Sequence, residues 1–227
     1  MRPRGDGLSK VGLLQLDPTV GDLEQNSHRL ARLAKQAEAA GAALGVSTEL
    51  AVCGYPPRDL LMERDFVERS MDVALNIPTD LPVLVGTPIP AEDDRTLPTN
   101  GVVRAGPQVA TITGDEHSRI VAEKQLLPTY DVFDEARYFA AKNRSGLARS
   151  IGGLTLGVTV CEDAWQSSGM TPSSYAQDPI EHIAGWCRQG VEINATVNLS
   201  ASPFHTDKFT TRLEVARHAA SVLNHPF

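Results

Sequence analysis

Gly152-Gly153-Leu154-Thr155-Leu156-Gly157-Val158-Thr159-Val160-Cys161-Glu162-Asp163-Ala164-Trp165 is the stretch around which the chain is organised. Its apolar, β-branched run reads as a buried strand that stops at a cysteine followed by two acids. Leu154, Leu156, Val158 and Val160 share one face at period two, and Thr155, Gly157, Thr159 and Cys161 share the other. The small-residue face is expected to be open, so that Cys161 at the strand mouth can meet a substrate. Free cysteine is also among the most buried residue types, so this stretch alone leaves both a nucleophile and a packing residue in play.

Outward from this strand the chain alternates strands with helices, the pattern of an α/β protein. Residues 11–16 read as a strand, and Asp22 as the N-cap of a helix running to residue 40, with Gly41 at its C-terminal stop. A second strand at 42–46 leads into Ser47-Thr48-Glu49. This βαβ order predicts a right-handed crossover between parallel neighbours. After the Gly54-Tyr55-Pro56-Pro57-Arg58 loop come a helix from 59 to about 76 and a strand at 82–87. Three short strands are then predicted at 100–105, 108–113 and 119–124, the last two joined by a turn at 114–117. Residues 125–139 are irregular and carry Tyr130, Phe133 and Tyr138. Beyond Cys161 the pattern predicts a helix at 178–189, a strand at 191–198 and a helix at 206–223.

With 227 residues and 41% hydrophobic side chains the chain can bury the core of one large domain. A net charge of −7 and the lack of a basic stripe exclude a general nucleic-acid binder. Cys53, Cys161 and Cys187 are widely spaced and form no C-x-x-C pair, which fits neither a disulfide framework nor a zinc site. The first ten residues are polar and basic, unlike a signal peptide, and no apolar run approaches the roughly 20 residues that span a bilayer. A soluble, cytoplasmic chain is expected.

Three reactive residues close three predicted strands: Glu49, Lys124 and Cys161. The carboxyl ends of strands in a mainly parallel sheet collect at one edge, where sites tend to lie. Ile120, Ala122 and Lys124 share a strand face, so Lys124 continues an apolar row and must pair or lose its charge. Glu49 is a ready partner. Singly, a strand-end glutamate is ordinarily solvated and a strand-end lysine snorkels; their joint placement with Cys161 argues for a site.

The order of these residues, in the settings Thr-Glu-Leu-Ala, Glu-Lys-Gln-Leu-Leu-Pro and Val-Cys-Glu-Asp-Ala-Trp, resembles the Glu-Lys-Cys triad of the nitrilase (carbon-nitrogen hydrolase) superfamily. Segments 13–22, 49–61, 124–139 and 200–204, with Lys208 and Arg212, are further similar to the glutaminase domain of glutamine-dependent NAD synthetases. The resemblance covers almost the whole chain. It implies a nitrilase-type αββα four-layer sandwich that hydrolyses glutamine to glutamate and ammonia. Cys161 would form a thioester, Glu49 would move the protons, and Lys124 would stabilise the oxyanion beside the backbone N–H that follows Cys161. Glu135 matches an additional catalytic glutamate. Tyr130 and Phe133 match residues lining the glutamine pocket, and Glu162 and Ser202 match contacts to the amino-acid head group. Tyr130 and Phe133 could equally be core, and Glu162 a helix-N-terminal acid.

Departures from the family pattern set further expectations. The strand before Glu49, Leu44-Gly45-Val46-Ser47-Thr48, is less apolar than usual and lacks a closing proline. No Ser-Gly-Gly-x-Asp-Ser loop occurs, so no synthetase domain is expected within residues 1–227, and because the family would continue past Asn224-His225-Pro226-Phe227 into further strands, a glutaminase domain truncated at its C-terminus is expected. ATP, Mg and deamido-NAD would then be handled only by a synthetase domain, downstream or in trans. No metal or cofactor is expected for the hydrolysis itself. Expected partners are glutamine, that synthetase domain and further copies of the chain, with no nucleic acid and no membrane. The rival readings are a nitrilase-type amidase for another small amide or nitrile, and a non-catalytic nitrilase-like scaffold. The Tyr55-Pro56-Pro57 loop and the 128–139 segment speak against the first, the complete triad against the second.

Overall fold

The first βαβ unit forms as its sequence dictates. In the computed structural model, which describes residues 9–93, 95–106, 119–143, 145–151 and 153–227, β1 (Lys10–Leu14) leads to α1 (Leu23–Ala39) and then β2 (Ala42–Ser47). The Asp22 carboxylate accepts the Gln25 N–H at 3.2 Å, and Gly41 takes the left-handed φ of 82° that ends the helix. β1 and β2 pair in parallel.

The helix predicted from residue 59 is two pieces, a 3-10 helix (Arg58–Met62) and α2 (Arg64–Leu75), separated by the extended Glu63. Leu61 and Val67 are both buried yet six residues apart, a spacing that no single 3.6-residue helix can turn to one face. β3 (Val83–Ile89), β4 (Thr99–Ala105) and β5 (Ile120–Glu123) complete a mixed five-stranded sheet in the order β1-β2-β3-β4-β5. β2 and β3 are parallel, whereas β4 runs antiparallel to both of its neighbours. The strand predicted at 108–113 and the turn at 114–117 lie outside the described residues.

A second, three-stranded sheet holds β6 (Gly146–Ile151), β7 (Leu154–Val160) and β8 (Ala195–Leu199) in that order. β6 is antiparallel to β7, and β8 is parallel to it. β6 has no counterpart in the sequence prediction, because Gly-Leu-Ala-Arg-Ser-Ile carries neither alternation nor β-branched enrichment until its last residue. The predicted strand at 191–198 begins only at Ala195; Asn194 instead brackets Thr155, donating its N–H to the Thr155 carbonyl at 2.8 Å and accepting the Thr155 N–H on its side chain at 2.7 Å. α3 (Pro179–Arg188) starts on Asp178, whose carboxylate accepts two backbone N–H groups, and α4 (Lys208–Leu223) follows β8.

The described residues form an α/β protein with two mixed sheets and three clusters of buried apolar side chains. One packs Leu30, Ala34, Val67 and Met71 of the first two helices against Val83, Val85 and Val103. The second joins the two sheets, with Leu44, Val46, Leu84, Val102 and Ala122 meeting Leu156, Val158 and Val160. The third contains Ile180, Ile183, Val215 and Ala219 of α3 and α4.

The small-residue face of β7 is therefore not open. A Cβ on Gly157 would lie 2.5 Å from Thr196 Oγ1 and 3.2 Å from Ile183 Cγ2, so that face is sealed by β8 and α3. Cys161 does not belong to it. β7 ends at Val160, Cys161 takes a left-handed φ of 46°, and a 3-10 turn (Cys161–Ala164) carries its side chain into the inter-sheet cluster. Period-two reasoning fails one residue beyond the strand, where the backbone leaves the pleat. Among the described residues no helix is long and apolar enough to cross a membrane.

Candidate active site

Strand ends from both sheets meet between the layers. Lys124, one residue past β5, is wholly buried, and its ammonium lies 2.8 Å from Glu49 Oε1 and 2.7 Å from Glu135 Oε2. Glu49 follows β2 and is 1% exposed, while Glu135 sits on a 3-10 turn (Glu135–Arg137) and is 4% exposed. The lysine in an apolar row has found the partner its burial demands, together with a second one.

Glu49 is held by more than Lys124. Asn100 Nδ2 donates to Oε1 at 2.8 Å, and the Ala201 N–H donates to Oε2 at 3.0 Å. The turn carrying Glu49 lies tight against β3: a Cβ on Gly86 would come within 2.5 Å of the Thr48 carbonyl and 2.7 Å of the Leu50 nitrogen. Leu50 itself has a φ of 46°. Glu135 accepts the Tyr55 hydroxyl at 2.8 Å, which extends the network to the Gly54–Arg58 loop.

Asp163 ties the lysine segment to the cysteine turn. Its Oδ1 accepts the N–H groups of Gln125 and Leu126 at 3.0 and 2.9 Å, and its Oδ2 accepts that of Val160 at 3.1 Å. Asn198 at the end of β8 donates to the Cys161 carbonyl at 3.2 Å and to Thr159 Oγ1 at 3.0 Å. The turn is thus pinned from both sides.

The electrostatics follow from burial. Burial alone would depress the Lys124 ammonium, but Glu49, Cys161 and Glu135 hold it well above the usual lysine range. Burial and the Glu49 charge push the Cys161 thiol well up, outweighing the pull of Lys124. Burial also raises Glu135, and it lifts Asp163 to about 7 against its three backbone donors. With the Cys161 thiol pushed up and the Lys124 ammonium held up, an attack by this sulfur would need one of the neighbouring carboxylates to take its proton.

Glu162, the residue after Cys161, is 3% exposed and has no cation within ion-pair distance among the described residues. Its oxygens accept hydroxyls only: Tyr130 at 2.9 Å, Thr171 at 2.6 Å and Tyr175 at 3.3 Å. Tyr130 packs edge-on against Phe133, centroids 5.5 Å apart, and both rings are half-buried instead of core. Ser202 makes a different contact. It accepts the Arg212 guanidinium and lines a cleft of about 580 Å³ whose walls, among the described residues, include neither Glu162 nor Cys161.

The structure thus brings Glu49, Lys124, Glu135 and Cys161 to one buried cluster and sets Tyr130, Phe133 and Glu162 in contact beside it. Sequence reasoning missed Asn100, Tyr55, Asp163, Asn198, Thr171 and Tyr175. Asn100 left a trace, as the polar residue on the strand face that otherwise continues through Val102.

The fold is that of nitrilase-superfamily enzymes. A glutamine-dependent NAD+ synthetase from Acinetobacter baumannii superposes with a TM-score of 0.73 at 22% identity, over 94% of this chain and 36% of that one. An amidase from the nitrilase superfamily of Nesterenkonia superposes with a TM-score of 0.65 at 17% identity, over 94% of this chain and 72% of that one. The chain belongs to the carbon-nitrogen hydrolase family, whose profile matches residues 10–222. It is 35% identical over 222 residues to the glutamine-dependent NAD(+) synthetase of a Synechocystis species, covering 95% of this chain but only 38% of that relative.

Proposed function

We propose that this chain is the glutamine-hydrolysing part of a glutamine-dependent NAD synthetase, built as a nitrilase-type αββα four-layer sandwich. The observation that carries the reading is the buried Glu49–Lys124–Glu135 cluster beside the Cys161 turn. Glu162 supports an amino-acid substrate: a buried carboxylate supplied with hydroxyl donors and no cation is complementary to an α-ammonium group.

In this reading Cys161 Sγ attacks the carboxamide carbon while Glu49 takes the thiol proton. Lys124 and the Glu162 backbone N–H stabilise the tetrahedral oxyanion, an electrostatic contribution worth about 3–4 kcal/mol per donor. Collapse breaks the C–N bond, and the proton held by Glu49 leaves with ammonia. Glu49 then deprotonates the water that attacks the thioester; glutamate departs and the proton returns to sulfur. Glu135, held by Tyr55, keeps Lys124 charged and directed. The ammonia would serve amidation of deamido-NAD in a synthetase domain, where ATP and Mg act. Further copies of the chain and a cytoplasmic setting belong to the same proposal.

Ammonia release from glutamine, compared with asparagine and simple aliphatic amides, tests the function. Preference for glutamine with a γ-glutamyl adduct on the Cys161 peptide is expected. Equal or faster release from aliphatic amides would favour the general amidase reading, and release by Cys161→Ala at the parent rate would overturn the mechanism.

A further inference from the structure

We propose that Asn100 is a positioning residue: together with Lys124 it occupies both lone pairs of Glu49 Oε1, and so assigns proton transfer to Glu49 Oε2. The proposal rests on the reading of Glu49 as the base and names the oxygen that does the work.

A carboxylate oxygen offers two acceptor sites. Oε1 uses both, accepting Lys124 Nζ and Asn100 Nδ2 at 2.8 Å each. Among the described residues Oε2 accepts only the Ala201 N–H, at 3.0 Å, and keeps one site. A proton arriving at Oε1 would have to displace an ammonium or an amide donor, whereas Oε2 can receive it with all three hydrogen bonds intact.

The orientation of the amide is fixed by its surroundings. Turning it over would set Oδ1 against Glu49 Oε1, acceptor against acceptor. In the orientation present Oδ1 is buried without a partner among the described residues, in a side chain that is fully buried. Buried polar groups are nearly always satisfied, so an amide that leaves one end unsatisfied is retained for what its other end does. The backbone serves the same constellation, because the Asn100 carbonyl accepts the Lys124 N–H at 2.7 Å. One residue of β4 thereby sets the base against the lysine that faces it.

The charged and titratable groups around Glu49 are Lys124 from the end of β5, Glu135 and Tyr55 across that lysine, Cys53 from the following loop, and Cys161 from the end of β7. Asn100→Asp puts a further acceptor and negative charge against Oε1 with hardly any change of shape, and Asn100→Ala removes the donor. Both withdraw hydrogen-bond or charge stabilisation from the Glu49 carboxylate. The experiment follows iodoacetamide modification of Cys161, read on its own peptide, from pH 4 to 9, and glutamine turnover on the same proteins. The acid limb of modification is expected to move up by about one pH unit in Asn100→Asp and by less in Asn100→Ala. Turnover number should fall about tenfold to hundredfold with KM within about twofold, since the Glu162 pocket is untouched. Superimposable acid limbs in the folded variants, or a loss confined to KM, would overturn the proposal. Should Asn100→Asp not fold, Asn100→Ala reads the same limb. The modification arm needs no substrate, so a parent protein inactive on glutamine would count against the proposed function while this test still ran.

Discussion

Lys124→Met tests the whole cluster at once, because it removes one buried charge and strands two others. In the parent, the ammonium lies 2.8 and 2.7 Å from the carboxylates of Glu49 and Glu135, and none of the three side chains is more than 5% exposed. Breaking a buried ion pair by deleting one partner costs about 3–5 kcal/mol. For a chain of this size that is a fall in Tm of about 6–20 °C at neutral pH and above. The sign of the pH dependence is fixed by what remains. Burial and the Glu49 charge raise the Glu135 carboxyl and Lys124 pulls it down, so without the lysine it rises further and the variant takes up more proton on folding than the parent. That extra contribution is fully present at low pH and is lost as pH rises through the raised Glu135 value, by up to about 1.4 kcal/mol per pH unit for each proton. Lys124 in the parent stays charged throughout, because its partners hold it well above the usual lysine range. The gap in Tm between variant and parent should therefore widen from pH 5 to pH 8. Thermal unfolding across that range measures it, with glutamine turnover followed in parallel. Turnover should fall by at least about a hundredfold while Cys161 still reacts with alkylating reagents. A Tm gap that did not change with pH, or turnover near the parent rate, would refute the assignment of Lys124 as the charged centre of the site.

Gly86→Ala should lower Tm and turnover together, since its Cβ would meet backbone atoms of Thr48 and Leu50 at 2.5 and 2.7 Å that cannot yield without moving Glu49; overpacking of this kind costs about 1–3 kcal/mol, and a variant as stable and active as the parent would count against the tight β3 contact. Glu162→Gln should raise KM for glutamine about tenfold to hundredfold and leave the des-amino analogue glutaramate unaffected, which steady-state kinetics on the two substrates would show; an equal loss on both would remove Glu162 from the head-group pocket. Asp163, raised to about 7 by burial, binds a proton in the folded state that it lacks when unfolded, so its contribution to stability falls as pH rises from about 4 to 7. In Asp163→Asn the slope of Tm against pH across that window should become less negative, and an unchanged slope would show that the carboxyl is ionised throughout.

Local structure was legible wherever one short segment carries its own physics. The Asp22 cap, the Gly41 stop and the apolar Leu154–Leu156–Val158–Val160 face of β7 are properties of a few consecutive residues, and each stands in the structure where its sequence places it. Reactive residues at strand ends were legible for the same reason: Lys124 ending an apolar row cannot remain unpaired in any fold that buries the row. The break at Glu63 and the strand β6 were not legible, because the first depends on which sides of two turns find a core and the second on a partner strand that supplies what its own residues lack.

The sequence by itself therefore determined the chemistry available: a thiol, a lysine and several carboxylates delivered to strand ends in an α/β chain. Tertiary structure alone decided which of their atoms meet. Asn100 lies 51 residues from Glu49 and the Ala201 N–H lies 152 residues away, yet both bind the same carboxylate. The direction of Cys161 is set by a left-handed residue one step past the strand, which turns it from the face its spacing predicted to the one shared by both sheets. Hydrogen-bond saturation, ion pairing and burial are relations between atoms that chain separation does not encode. They come into being only when the two sheets close on one another and exclude water from the space between Glu49, Lys124 and Cys161.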